Sequence, residues 1–133
     1  MLTPMRTLLL TAVAISSPAG AGPRHSPEVQ LQKLLEGRVP GRPTDCINLR
    51  SVSSSQIIDR TAIVYRVGGT LYVNQPHSGA SSLRRDDFLL TRTHSSQLCS
   101  IDLVRLLDHG SHFPRGFVGL GKFVPYSRAK LTS

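Results

Sequence analysis

Residues 64–75 read VYRVGGTLYVNQ, and this stretch constrains the fold more than any other. Two runs of β-branched and aromatic residues flank Gly68-Gly69. A two-residue hairpin connection needs positive φ at its central positions, which glycine adopts without steric cost. A phosphate-cradling glycine loop instead needs a helix after the glycines. Here Thr70-Leu71-Tyr72-Val73 follows, which is strand chemistry. The pair is therefore predicted to turn a hairpin rather than hold a ligand. Loop length sets the register: Val67 opposite Thr70, Tyr65 opposite Tyr72, Ile63 opposite Asn74. Apolar side chains fall on both faces, whereas a sheet wet on one side alternates cleanly. The hairpin is thus expected to be central, with one face in a core and the other partly covered by a helix carrying Leu31, Leu34 and Leu35.

That helix is predicted from Ser26-Pro27-Glu28, which supplies an N-cap, a first-turn proline and an acid at the positive helix end. Gly37 stops it. GRVPGRPT, 37–44, reads as a linker. Beyond it, short β-prone runs recur between turn residues. Strands are predicted at 46–49, 56–58, 61–67, 70–75, 88–92 and 117–125, with a turn at Asp59-Arg60 and a Ser/Gly-rich loop at 76–85. Residues 98–107 suit a strand or a helix equally. Gly119-Leu120-Gly121 lies between strand-like pairs and reads as a bulge or a barrel corner. The fold class is mainly β: a small five- to six-stranded antiparallel barrel or sandwich with one short N-terminal helix, its β-rich domain at 44–126 and a loose tail at 127–133.

The first 21 residues have the layout of a secretory signal peptide: one basic residue, Arg6, the apolar run TLLLTAVAI, and Ala19-Gly20-Ala21 as a small-x-small cleavage site. The apolar run is shorter than the roughly 20 residues that span a bilayer. Residues 22–43 then form a leader, the short helix and the linker. An exported chain, periplasmic or secreted, is expected. The net charge is +8, carried mostly by dispersed arginines. Such charge favours anionic partners without specifying one. Cys46 and Cys99 form an even count in an oxidising compartment, which fits one disulfide. Two buried thiols, or a reactive Cys99, are the alternative. A bridge closing a loop of roughly 50 residues would contribute ~4 kcal/mol in the chain-entropy picture.

Catalytic chemistry has few handholds. Asp86 and Asp87 are adjacent, so on a strand they point to opposite faces; pairing with Arg84 or Arg85 accounts for them as well as acid–base work does. Asp102 suits a cap near Ile101. Among His25, His77, His94, His109 and His112, only His109 and His112 approach a metal-ligand spacing, and no carboxylate or thiol completes it. The serines lack a G-x-S-x-G elbow. Tyr65, Tyr72 and Arg66 could stack bases, but the tyrosines suit a cross-strand core pair equally. Asp87, Asp102 and Arg66 are retained as polar candidates. No catalytic residue, cofactor or metal ligand is assigned.

CINLR (46–50), IID (57–59), IVYRVGGTLYVN (63–74), DDF (86–88), SQLCSID (96–102) and VGLGKFVP (118–125) together resemble a family of small exported bacterial proteins of unknown function. The likeness covers roughly residues 44–125. Many members carry four cysteines. Two match Cys46 and Cys99; the others fall near Ala80-Ser81 and near Gly116, where this chain has none. Their joint loss implies that they form a second bridge in those members and that Cys46 pairs with Cys99 here. The family has no established activity to carry over. The expected function is a non-enzymatic envelope or binding module, with an anionic envelope component or another protein as partner and no nucleic acid. The alternative is a small periplasmic hydrolase using Asp102 or Asp87 with a histidine.

Overall fold

The computed structural model describes residue 12 and residues 26–129. The signal-peptide segment apart from residue 12, the leader 22–25 and the tail 130–133 lie outside the described residues.

The helix forms where its capping residues predict. In α1 (Pro27–Leu34), the Ser26 hydroxyl accepts the Val29 N–H at 3.3 Å. Gly37, at φ 75°, ends the segment in a conformation that disfavours a side chain. Among the described residues ten strands follow, in three antiparallel groups. The largest sheet has the order β1 (Arg38–Pro40), β10 (Phe123–Arg128), β5 (Thr70–Asn74), β4 (Ala62–Val67), β3 (Val52–Ile58). β2 (Cys46–Asn48) and β7 (Gln97–Cys99) form a two-stranded ladder of their own. A third sheet has the order β6 (Phe88–Thr91), β8 (Leu103–Leu107), β9 (Pro114–Gly119).

The central hairpin has the register its turn demands: Val67↔Thr70, Tyr65↔Tyr72 and Ile63↔Asn74. Both of its faces are buried. Ile57, Ile63, Tyr65 and Phe123 join Leu106 and Val118 of the three-stranded sheet in the main core, to which Ile47 and Leu98 of the β2–β7 ladder also belong. On the opposite face Ile58, Ala62, Val64, Leu71 and Val73 form a second cluster, covered by Leu31, Leu34, Leu35 and Tyr126. The leucine stripe of α1 is therefore the cover expected for that face.

Cys46 and Cys99 stand directly opposite each other on β2 and β7 and are disulfide-bonded. The neighbouring Ser100 N–H donates to the Asp45 carbonyl at 2.7 Å, so the bridged pair occupies a non-hydrogen-bonded position, where facing side chains lie closest. The bridge ties the segment leading into the five-stranded sheet to the segment leading into the three-stranded one.

Several elements differ from the sequence expectation. The mainly β class with one short helix holds, but of its two expected forms the closed barrel does not form among the described residues: β3 and β6 are sheet edges, and a cleft separates them. The linker contains β1, which pairs with β10. Pro40 is tolerated because an edge strand leaves one row of N–H groups unpaired anyway. Ser127 and Arg128, assigned to a loose tail, pair with Val39 and Arg38. The second strand starts earlier, at Val52, so Ser53 to Ser55 lie on an edge strand rather than in a loop. Residues 98–107 resolve into β7, a turn and β8.

The last strand is two strands, β9 and β10, joined at a corner. Asn74 holds that corner: its Nδ2 donates to the Gly121 carbonyl at 2.8 Å, and its Oδ1 accepts the Gly121 N–H at 2.9 Å. A Cβ at Gly121 would collide with the Gln75 carbonyl, and one at Gly119 with Ser78 and His77. The glycine triplet is thus the corner its spacing suggested: a backbone carbonyl at Gly121, and the side chains of Ser78 and His77 at Gly119, occupy the space a side chain would need.

Candidate binding face

The three retained polar candidates lie on separate elements. Arg66 is exposed on β4, on the side facing α1, where it lines a small hollow with Leu34 and Leu71. Asp102 sits in the turn between β7 and β8, and its Oδ2 accepts the Cys99 N–H at 2.7 Å. Asp87 precedes β6, turns inward and forms an ion pair with Arg115; its side chain is 4 % exposed and that of Arg115 21 %. A bulge between Leu106 and Leu107 inserts an extra residue into β9, and this places Arg115 against the carboxylate. No hydrogen bond or ion pair joins these three residues to one another or to a histidine among the described residues. The described residues hold no group of three or more His, Cys, Asp or Glu side chains placed to bind a metal. Tyr65, weighed as a base-stacking residue, is a core residue with its ring edge-on to Phe123 at 5.8 Å.

The cleft between β3 and β6 encloses about 520 Å³, with Ser55, Gln56 and Ile57 on one wall and Asp87, Phe88 and Leu89 on the other. It continues into a hollow of about 380 Å³ beside Arg60, Arg84 and Arg85. That end is pinned: the Arg60 N–H donates to the Leu83 carbonyl at 3.0 Å, and the Arg85 N–H to Asp59 Oδ1 at 2.6 Å. The Asp87 carboxylate on its wall is committed to Arg115.

The outer face of the three-stranded sheet has a different chemistry. Alternation along β6 and β8 turns Leu89, Val104 and Leu106 inward and leaves Phe88, Leu90, Leu103 and Arg105 on the other side. Phe117 of β9 pairs with Arg105, whose guanidinium lies over the phenyl ring at 5.1 Å. Arg92 continues the outward alternation of β6 and is exposed. Three of the chain's four phenylalanines, Phe88, Phe113 and Phe117, are exposed at this sheet; only Phe123 is in the core. The hollow among Leu90, Arg92, Leu103, Arg105 and Phe117 is shallow, about 120 Å³.

The loop between β8 and β9 borders this face. The Asp108 carboxylate accepts both the backbone N–H and the hydroxyl of Ser111 at 2.9 Å, and the Gly110 N–H at 3.1 Å. These bonds, with Arg115 adding attraction, hold its pKa below the ordinary carboxylate value. His109 and His112 rest against Phe88, with ring centroids 4.9 and 5.6 Å apart.

Sequence reasoning did not single out this face. The signal was nonetheless present: FLLTR (88–92) and LVRLL (103–107) are apolar on both faces, as the hairpin is. Compared with known protein families, curated proteins and solved structures, the chain matches none.

Proposed function

We propose that this chain is an exported, non-enzymatic binding module of the bacterial envelope, and that the outer face of its three-stranded sheet engages an anionic component there. One observation carries the reading: phenylalanines stand exposed on one sheet face beside Arg92 and Arg105. An apolar patch rimmed by charge is the usual mark of an interaction surface, and the arginines set the sign of the partner. Export is supported by the layout of residues 1–21 and by the Cys46–Cys99 bridge, which persists in oxidising compartments. Kinship with the family of small exported proteins is part of the same proposal. The two positions at which that resemblance implies a second bridge fall on neighbouring segments: Ser78 bridges Gly119, and the turn at Ala80–Ser82 packs on β9.

The test is binding of the purified chain to immobilised lipopolysaccharide and to phosphatidylglycerol vesicles across a salt series. Retention should fall steeply as salt rises, and the double variant Arg92→Gln/Arg105→Gln should lose most of it. Binding that ignores both salt and the two arginines would rule the face out.

A further inference from the structure

Two of the sheets are apolar on both sides, and among the described residues only one of them is covered. The five-stranded sheet buries its outer face under α1. The three-stranded sheet has no such cover among the described residues: Phe88 is 45 % exposed, Phe117 53 % and Leu103 60 %. Ile101, at 88 %, and Phe113, at 71 %, extend the apolar surface beyond opposite ends of β8. Among the described residues, five of the seven large exposed apolar side chains therefore belong to one sheet and its flanking loops.

The cations of this surface stand on the face itself, and its acids lie at the margin, where the ionised Asp108 of the β8–β9 loop adds one negative charge. Arg92 and Arg105 stand on the face, and the neighbouring acids are turned away or engaged. Asp87 points inward to Arg115, Asp102 accepts the Cys99 N–H, and the Asp108 Oδ2 is filled by Ser111 and Gly110. Asp86, exposed in the loop before β6, lies beside Arg85. A second copy of the chain is a poor occupant, because a two-fold interface would set this arginine-bearing patch against itself. A protein partner usually anchors a large side chain in a pocket at the interface centre, and the hollow here is only about 120 Å³. A broad apolar surface bearing cations, without a socket, suits a fluid anionic layer.

From this, and resting on the binding reading above, we infer that the outer face of the three-stranded sheet docks on an anionic phospholipid bilayer. Phe88, Phe117 and Leu103 enter the boundary between headgroups and acyl chains, about 5–10 Å deep for interfacial elements. Arg92 and Arg105 meet lipid phosphates, for which a guanidinium fork is well matched. The cation lying over Phe117 can swing to a phosphate while its stem stays on the ring.

The chain contains no tryptophan, so a single introduced one reports its own surroundings. Phe117→Trp in the full chain is mixed with vesicles of phosphatidylcholine and phosphatidylglycerol in roughly equal amounts, some carrying brominated acyl chains. The expected result is a blue shift and quenching by the brominated lipid, both lost in high salt and absent with pure phosphatidylcholine. Adding Phe88→Ala should weaken partitioning about tenfold. Attachment through residues 1–21 alone would leave the introduced indole unquenched and overturn the inference. So would equal insertion into neutral vesicles. Salt-sensitive binding to vesicles or lipopolysaccharide without quenching would overturn insertion and leave the anionic-binding reading standing; binding to neither would remove both. If Phe117→Trp melts early, Phe88→Trp takes its place with the same expected outcomes.

Discussion

Tyr65 buries its phenol in the main core, and its Oη is a buried polar atom without a hydrogen-bond partner among the described residues. Burial pushes the phenol pKa up, since no neighbour stabilises the charged form. An unpaired buried hydroxyl costs stability, whereas the ring contributes through Phe123. Tyr65→Phe should therefore raise stability by about 1 kcal/mol, read as a higher urea midpoint with an unchanged slope. Asp87 is the converse case. It is nearly fully buried but paired, and its removal would leave the Arg115 cation without its partner. Asp87→Ala should cost about 2–3 kcal/mol by the same measurement, somewhat below the range for a fully buried pair because Arg115 keeps some solvent contact. A variant as stable as the parent would mean that the carboxylate is not held for structure.

At the scale of elements, the loop between β8 and β9 carries its own electrostatic clamp. Ser111 and Gly110 stabilise the ionised Asp108, so its folded-state pKa lies below its unfolded one. The contribution of the clamp is complete above the unfolded value, about 3.9, and is lost as pH falls through the folded value. Asp108→Asn should lower stability near neutrality, where the clamp is fully present, and flatten the profile in that acid window so that variant and parent converge at low pH, as seen in thermal melts across pH. Local turn chemistry of this kind is readable from sequence. Gly68-Gly69 gave the hairpin and its register, and Ser26-Pro27-Glu28 gave the helix, because each acts within a few residues. The corner at Gly119–Gly121 was legible only as a bend. What splits it into two strands is Asn74 and the backbone of Gln75, distant in sequence. Likewise Arg38–Pro40 looked like a linker because its partner, β10, lies at the other end of the chain. The candidate face was hidden for a related reason. FLLTR, LVRLL and IVYRV share one two-faced apolar pattern, and only the landing site of α1 decides which sheet is covered.

For the whole molecule, the cystine joins two bodies of structure. The β2–β7 ladder belongs to neither large sheet, yet its strands lead into β3 on one side and β8 on the other. Reducing the bond should lower stability by about 4 kcal/mol on the loop-closure estimate. The Cys46→Ser/Cys99→Ser variant should match the reduced protein in urea titrations; a difference of less than about 1 kcal/mol from the oxidised parent would show that the β2–β7 pairing and the shared core hold the sheets together unaided.

β1 and β10 have a mechanical consequence. Arg38 opposes Arg128, so the outer ends of both strands lie side by side. A pull on the two chain ends would peel that ladder open one rung at a time, at low tension. Peeling could continue through β10, β9 and β8, which lie outside the bridged loop, and would then stop at the cystine. The 53 residue steps inside the cystine loop cannot be drawn out while the sulfurs hold, and at ~3.4 Å per residue they amount to about 180 Å of hidden length. In an optical trap that length should be released only after reductant is added, which would make the molecule a short, stiff tether when oxidised and a long, compliant one when reduced.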